Sequence, residues 1–240
     1  MNNSPKQPAR PPVEAARVGD AHPLSLALFA LTLASGLIDA VSYLGLGHVF
    51  TANMTGNVVV IGFALAGAPG FSITGSLISL GAFLVGAVVA GRLAARFAAG
   101  SRQPWVRAAL ITETTLQAAA TAVAFATHGQ TELLIGLLAL AMGLRNGTVR
   151  KLGIPDMTTT VLTLTITGIG ADSSLAGGNN ARVRRRLLAI ALMVTGATLG
   201  AVLVLHGHLP WALLASTVVL VAAAVGYREP KTDRSQTAGA

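Results

Sequence analysis

Apolar stretches long enough to cross a lipid bilayer recur along the chain from residue 24 to residue 227. A membrane-spanning helix needs roughly 20 mostly apolar residues. Hydrophobic residues make up 52% of the 240 residues, charged residues only 11%, and the mean hydropathy is +0.65. This apolar content exceeds what one soluble core of that length uses. We therefore predict an all-α polytopic membrane protein whose main partner is the lipid bilayer.

Eight apolar segments can be marked, separated by short polar or basic stretches. They cover residues 24–46, 53–67, 72–91, 105–127, 131–149, 157–170, 187–206 and 209–227. The second and the sixth are the shortest. Both open with polar residues that a lipid-facing helix avoids, NMTGN at 53–57 and DMTTT at 156–160. These two segments therefore differ in kind from the other six.

The basic composition does not indicate nucleic-acid binding. The net charge is +8, but the basic residues lie between apolar segments and aromatic residues make up only 5% of the chain, so a clustered basic and aromatic face is not expected. There is no cysteine, the five histidines are dispersed, and the sequence contains no HExxH, GxSxG, P-loop or dinucleotide-binding motif. We expect no nucleic acid, no metal, no cofactor and no enzyme activity.

The chain repeats itself at a separation of 103 to 110 residues. The matches, in one order along the chain, are LASGLID at 33–39 with LAMGLRN at 140–146, Asn53-Met54-Thr55 with Asp156-Met157-Thr158, Gly86-Ala87 with Gly196-Ala197, and Pro104-Trp105 with Pro210-Trp211. Four weak matches in register favour an internal duplication. The sequence thus predicts two membrane halves, 24–127 and 128–227, flanked by disordered cytoplasmic tails at 1–23 and 228–240.

The positions of the basic residues decide how many segments cross. If all eight crossed from a cytoplasmic N-terminus, seven of the 17 Lys and Arg residues would lie outside: Arg92, Arg96, Arg102, Arg107, Arg145, Arg150 and Lys151. Basic residues are strongly favoured on the cytoplasmic side of such proteins. If the second and sixth segments instead enter and leave on one side, all 17 are cytoplasmic. We therefore predict about six spans plus two short re-entrant or broken helices.

This topology also sets the relation between the halves. Each half then crosses the bilayer three times, an odd number, so the two halves have opposite orientations. Inverted-topology repeats with broken helices are typical of transporters and of some channels. We expect an inverted-topology internal repeat with both termini in the cytoplasm.

Ionisable residues at membrane depth are functional candidates because they are costly to bury. The sequence places four polar residues there: Asp39, Glu113, Arg145 and Asn146. The alternative for Arg145 is snorkelling to the cytoplasmic surface. For Asp39 and Glu113 it is a structural hydrogen bond or ion pair. Otherwise these residues bind solute or couple its movement to an ion or proton.

The two polar openings suggest a shared binding site. Helix N-termini expose unpaired backbone N–H groups and carry partial positive charge, so two of them meeting near the bilayer centre would bind an anionic or strongly polar solute. The candidate substrate-binding residues are Asn53, Thr55, Asn57, Asp156, Thr158 and Thr160. Simple helix capping is the alternative for Asn53 and Asp156. The negative charge of Asp156 leaves a cation or a proton-coupled substrate open.

Two sequence stretches resemble a known family. GLIDAVSYLGLGHVFTANMTGNVVVIG and the later GLRNGTVRKLGIPDMTTTVLT are similar to sequences of the YoaK family, bacterial membrane proteins grouped as a domain of unknown function. The likeness covers residues 24–227. It implies about six spans and a location in the bacterial plasma membrane, and it brings no substrate or mechanism.

The leading hypothesis is a small-solute transporter or channel with its site near the bilayer midplane, between the inverted halves. The first alternative is a non-transport membrane scaffold or interaction protein. An intramembrane enzyme ranks third. Transport predicts a polar cavity that reaches the midplane. A scaffold predicts closely packed halves in which Asp39 and Glu113 are paired off. Substrate identity and oligomeric state are not specified by these patterns.

Overall fold

The computed structural model describes residues 22–98, 102–127, 129–153, 162–180 and 182–228. Across these ranges the chain is helical and contains no strand. The helices are α1 (Pro23–Ala40), α2 (Met54–Leu65), α3 (Ile73–Arg96), α4 (Arg102–Ala126), α5 (Thr131–Leu152), α6 (Leu162–Ala171), α7 (Val183–Leu205) and α8 (Leu209–Gly226). A π-helical turn, Val41–Gly45, extends α1, and a 3-10 turn, Ser174–Ala176, follows α6.

Six of the described helices are long and apolar enough to cross a membrane. They are α1 with its π-helical extension, α3, α4, α5, α7 and α8. The other two, α2 and α6, are shorter and apolar. The predicted class is confirmed: an all-α polytopic membrane protein with six span-length helices and two short ones.

The loops before and after the short helix α2 contact each other. Its 12 residues measure about 18 Å at about 1.5 Å per residue, against roughly 30 Å for the hydrocarbon core. The loops before and after it touch, because His48 Nδ1 lies 3.2 Å from the Gly70 carbonyl oxygen. A re-entrant hairpin requires such a contact between its flanking loops, and the entry and exit of α2 on one side of the membrane stay a prediction.

Helix α1 packs closely against α7 through glycine. Gly36 faces the backbone of Met193, and Gly196 faces the Leu33 carbonyl, so a side chain at either glycine would overlap the neighbouring helix. Small residues of this kind allow membrane helices to approach backbone to backbone. The first helix of one half is thereby held against the other half.

A glycine contact of the same kind joins α5 to α3. Gly143 faces the Phe83 carbonyl and Gly86 faces the Leu140 carbonyl. The predicted repeat aligns these two glycines with the two at the α1–α7 contact. Equivalent residues therefore make equivalent contacts, and each contact joins a helix of 24–127 to a helix of 128–227. The core is built between the halves.

Alanine in place of Gly143 is expected to lower the free energy of unfolding by about 1–3 kcal/mol, because the new methyl group would overlap the Phe83 carbonyl. Gly136→Ala, on the same helix, is the matched control, since its Cβ would meet only Ile78 at 3.8 Å. Thermal unfolding of the two purified variants in detergent measures the difference. Equal midpoints would contradict the close α3–α5 contact.

Candidate functional site

Arg145 of α5 lies inside the helix bundle, with 0% of its side chain exposed. Its Nε donates a hydrogen bond of 2.6 Å to Oε1 of Glu113 on α4, and its Nη2 forms an ion pair with the same oxygen. Its Nη1 donates to two groups of α1, the Leu31 carbonyl at 3.0 Å and Ser35 Oγ at 2.7 Å. One guanidinium thus joins three helices, and the side chain does not snorkel.

This ion pair lies near the middle of the bundle. Glu113 is the twelfth of the 25 residues of α4, and its side chain is only 3% exposed. Helices α1 and α4 belong to the first half and α5 to the second, so the pair sits where the halves meet. A charged pair in such surroundings carries a desolvation penalty of several kcal/mol per ion before its attraction is counted. Packing alone gives no reason to place it there.

A second carboxyl group lies on α1. Asp39 is one helical turn after Ser35, the α1 side chain that Arg145 Nη1 contacts. Its Oδ1 is buried and has no hydrogen-bond partner among the residues that the structure describes. We call Asp39, Glu113 and Arg145 the charged cluster. With all three ionised, it carries one surplus negative charge.

A small cavity leads to the charged cluster between α1, α4 and α5. Its lining is apolar apart from Glu113, Arg145 and Thr148. About 20 Å³ of it is open to a water-sized molecule, enough for one water. At the end far from Glu113, which we call the cavity mouth, the lining comes from the first turn of α1, the second turn of α4 and the last turn of α5. The apolar residues that line it include Leu24, Leu28, Val106, Leu110, Val149 and Leu152.

Polar contacts continue from the cluster along α4. Glu113, Gln117 and Thr121 are spaced by four residues, share one face and are buried. Gln117 Nε2 donates to Ser216 Oγ of α8 at 2.5 Å, and the hydroxyls of Thr121 and Thr217 are 2.9 Å apart. Gln117 Oε1 is buried without a partner in the described part of the chain. A polar stripe therefore runs through the α4–α8 contact toward the other end of the bundle.

Asn146, which the repeat aligns with Asp39, donates from Nδ2 to the carbonyl of Met142 one turn back on its own helix. The equivalent of Arg145 in the first half is Ile38. The aligned segments therefore share their packing glycines, while the position that aligns with Arg145 carries no charge.

The predicted site residues at the start of α2, Asn53, Thr55 and Asn57, have different surroundings in the structure. Asn53 caps the helix, because its Oδ1 accepts the Gly56 N–H at 3.1 Å, and Thr55 is exposed on the surface of the bundle. Asn57 is fully buried: its Oδ1 accepts the Phe50 N–H at 2.9 Å, and its Nδ2 donates to the Phe50 carbonyl at 2.6 Å. Its amide locks the loop before α2 to the bundle.

The N-terminal end of α2 contacts α3 at a point before the middle of α3. Asn57 Nδ2 also donates to Ser79 Oγ at 3.1 Å, and Ser79 Oγ donates to the Phe50 carbonyl at 2.6 Å. Ser79 is the seventh residue of α3, about 9 Å from the start of that helix. Asp156, Thr158 and Thr160 fall in residues 154–161, outside the described residues. The meeting of the two tips stays a prediction.

Sequence reasoning named Asp39, Glu113 and Arg145 but missed how they are joined. It also missed Ser35, one turn before Asp39, and Gln117, one turn after Glu113. Both had a signal, since each is a polar residue spaced by four from an ionisable one on an apolar helix. In the described part of the chain, no three His, Asp or Glu residues come together as a metal site would require.

Span-length apolar helices packed around a buried charged cluster define a polytopic α-helical membrane protein. A family model described as "Protein of unknown function (DUF1275)" matches residues 27–226, and the chain belongs to this family. The chain is 33% identical over 148 residues to the UPF0700 transmembrane protein YoaK of Bacillus subtilis (strain 168). The aligned stretch is 61% of this chain and 66% of that relative, just under two thirds of its length. No solved structure matches the chain. The resemblance to the YoaK family is confirmed.

Proposed function

We propose that this membrane protein is a small-solute transporter and that its solute binds at the charged cluster. One observation carries the proposal: Arg145 is completely buried and paired with Glu113 at the inner end of a cavity between helices of both halves. Ionisable residues at membrane depth are rare, and they mark substrate or ion pathways in many membrane proteins. The buried Oδ1 of Asp39, one helical turn after Ser35 and without a hydrogen-bond partner in the described part of the chain, supports the same function, because purely structural polar groups are normally satisfied.

An inverted relation of the halves would supply the mechanism. The equivalent glycine contacts, α1 with α7 and α5 with α3, support a pseudo-twofold relation between residues 24–127 and 128–227. In transporters of this kind one half rocks against the other around a fixed site near the midplane. The charged cluster lies where such rocking would open it alternately to the two sides.

The proposed orientation places the cavity mouth in the cytoplasm. With both termini inside and α2 and α6 re-entrant, all 17 Lys and Arg residues lie on the cytoplasmic side. The first turns of α1 and α4 and the last turn of α5 then face the cytoplasm, and the cavity between them opens inward. We place the protein in the bacterial plasma membrane.

A membrane scaffold is the second candidate. The pairing of Glu113 with Arg145, with both side chains out of contact with solvent, is the observation that favours it. A scaffold would use this pair to fix the arrangement of α1, α4 and α5 and would have no solute to bind. The two candidates therefore differ in whether a small molecule stabilises the protein through Arg145.

A solute screen with a matched pair of variants tests the proposal. In detergent, at least one member of a panel of small carboxylates, phosphate, amino acids and sugars is expected to raise the unfolding temperature, because a ligand at 100 times its Kd adds about 2.7 kcal/mol. Arg145→Lys should weaken the binding of that solute at least about tenfold, since lysine lacks the planar two-pronged donor. Arg150→Lys, an exposed arginine on the same helix, should behave as the parent protein.

The stabilising solute should then exchange across the membrane of reconstituted liposomes, and Arg145→Lys should abolish the exchange. No stabilising solute in the panel, or an equal response of Arg145→Lys and the parent protein, would overturn the proposal and favour the scaffold.

A further inference from the structure

We infer that the solute is a small organic carboxylate, and that it takes the place of Glu113 on Arg145 while Glu113 receives a proton. This inference rests on the proposed function and specifies the substrate class and coupling of the same site. It follows from three observations: the hydrogen bonds of Arg145, the charges around Glu113, and the lining of the cavity.

The contacts of Arg145 leave one edge of its guanidinium group, formed by Nε and Nη2, at which one carboxylate could replace another. Nη1 is held by the Leu31 carbonyl and Ser35 Oγ, which are part of α1 and stay with it. Nε and Nη2 both contact one oxygen, Oε1 of Glu113. Carboxylates bind a guanidinium best with two parallel hydrogen bonds, one oxygen to each nitrogen. Glu113 thus occupies, with a single oxygen, the edge that an incoming carboxylate would use with two.

The surrounding charges require a proton when Glu113 is displaced. Helix α1 contributes Asp39, and α5 contributes Arg145 with Arg150 and Lys151 in its last turn. Helix α3 contributes Arg92 and Arg96 near its C-terminal end, and α8 contributes no charged residue in Leu209–Gly226. A displaced Glu113 carboxylate would share the buried site with the solute carboxylate, with one guanidinium between them. Burying unpaired charges costs several kcal/mol each. Protonation of Glu113 removes that penalty.

The resulting exchange is balanced in charge and in bonds. One proton adds to the carboxylate of Glu113, and the Nε hydrogen bond and the Nη2 ion-pair contact of Arg145 pass from Oε1 of Glu113 to the two oxygens of the solute. No covalent bond of the solute forms or breaks. One positive and one negative charge enter together, so the loaded site has the same net charge as the resting site. The transport cycle is therefore an electroneutral symport of one proton with one carboxylate.

The cavity selects an apolar body behind the carboxylate. Leu28, Leu110 and Val149 are among the side chains that lead from the cavity mouth to the charged cluster. Glu113, which the solute displaces, is the one acidic residue among the cavity-lining residues, so no second acidic group lines the cavity to receive an ammonium group, and the apolar walls disfavour a sugar. Short aliphatic carboxylates fit this arrangement. The cavity now has room for about one water, so α1 must move away from α4 and α5 at the cavity mouth when the solute enters.

Calorimetric titration of the purified full chain with butyrate tests the inference, with butyramide as the neutral comparison. Titrations at neutral pH in two buffers with different heats of ionisation count the protons taken up. The expected result is one proton taken up for each butyrate bound, and no binding of butyramide. Glu113→Gln should bind butyrate with no proton uptake, because the amide is neutral throughout. Glu132→Gln, an exposed glutamate in the first turn of α5, should retain one proton per butyrate.

The count on the parent protein stands even if Glu113→Gln fails to fold. Butyrate binding with no proton uptake, or uptake retained in Glu113→Gln, would overturn the coupling. Absence of butyrate binding would overturn the carboxylate as substrate class. In each case the proposed function is judged separately, by whether another solute of the panel is bound through Arg145 and exchanged in liposomes.

Discussion

Replacing Arg145 by methionine is expected to lower the free energy of unfolding by about 3–5 kcal/mol, the loss typical when one partner of a buried ion pair is removed. The change leaves the Glu113 carboxylate buried without its counter-charge, and it also frees the Leu31 carbonyl and Ser35 Oγ from a donor. Methionine fills a similar volume, so the loss reports charge and hydrogen bonding more than a cavity. Reversible unfolding in mixed detergent measures it.

Two controls separate this effect from simple loss of a basic residue. Arg150→Met removes an exposed arginine five residues further along α5 and should change the free energy of unfolding by less than about 0.5 kcal/mol. Arg145→Met combined with Glu113→Leu removes both charges and should recover most of the loss, because an apolar pair can replace a buried ion pair at little cost. A single variant no worse than Arg150→Met would contradict the buried pair.

The number and type of helices could be predicted because lipid imposes a simple rule on sequence. Every span must be long and apolar, so the six long helices and the two short ones could be located from hydropathy and charge placement alone. The cap of α2 by Asn53 could be predicted for a similar reason, because Asn53 and the Gly56 N–H that it accepts lie within one turn of each other.

The charged cluster could be predicted only in part, because its contacts are distant in sequence. Arg145 and Glu113 are 32 residues apart, and Arg145 and Leu31 are 114 apart. A backbone carbonyl of α1 has no signature in the sequence at all. Hydropathy shows that a charge lies at membrane depth, but the order in which helices pack decides its partner.

Asn57 shows what neighbouring residues do not specify. The polar cluster at 53–57 predicts a binding site near the bilayer centre when only local sequence is considered. In the structure the amide of Asn57 contacts Phe50 and Ser79, which lies 22 residues further along the chain. These hydrogen bonds of Asn57 hold the loop before α2 against α3.

The second large effect concerns access of water to the charged cluster. Ala109 lies one turn before Glu113 on α4, lines the cavity and is 4% exposed, whereas Ile111 on the same helix is 56% exposed on the outer, lipid-facing surface of the bundle. A transporter must open the cavity to the cytoplasm during its cycle, and a scaffold need not. Cysteine reacts as the thiolate, which forms in water and is suppressed in apolar surroundings. The chain contains no cysteine of its own, so a single introduced thiol can be followed.

The central claim, that solute reaches the charged cluster from the cytoplasm, is tested most directly by reacting Ala109→Cys with a negatively charged, membrane-impermeant thiosulfonate in oriented vesicles. In inside-out vesicles Ala109→Cys is expected to react at least about tenfold faster than Ile111→Cys, because only the cavity brings water and reagent to the thiol. In right-side-out vesicles the difference should shrink or vanish. Equal, slow labelling of both variants from the cytoplasmic side, or labelling of Ala109→Cys only from outside, would contradict the account.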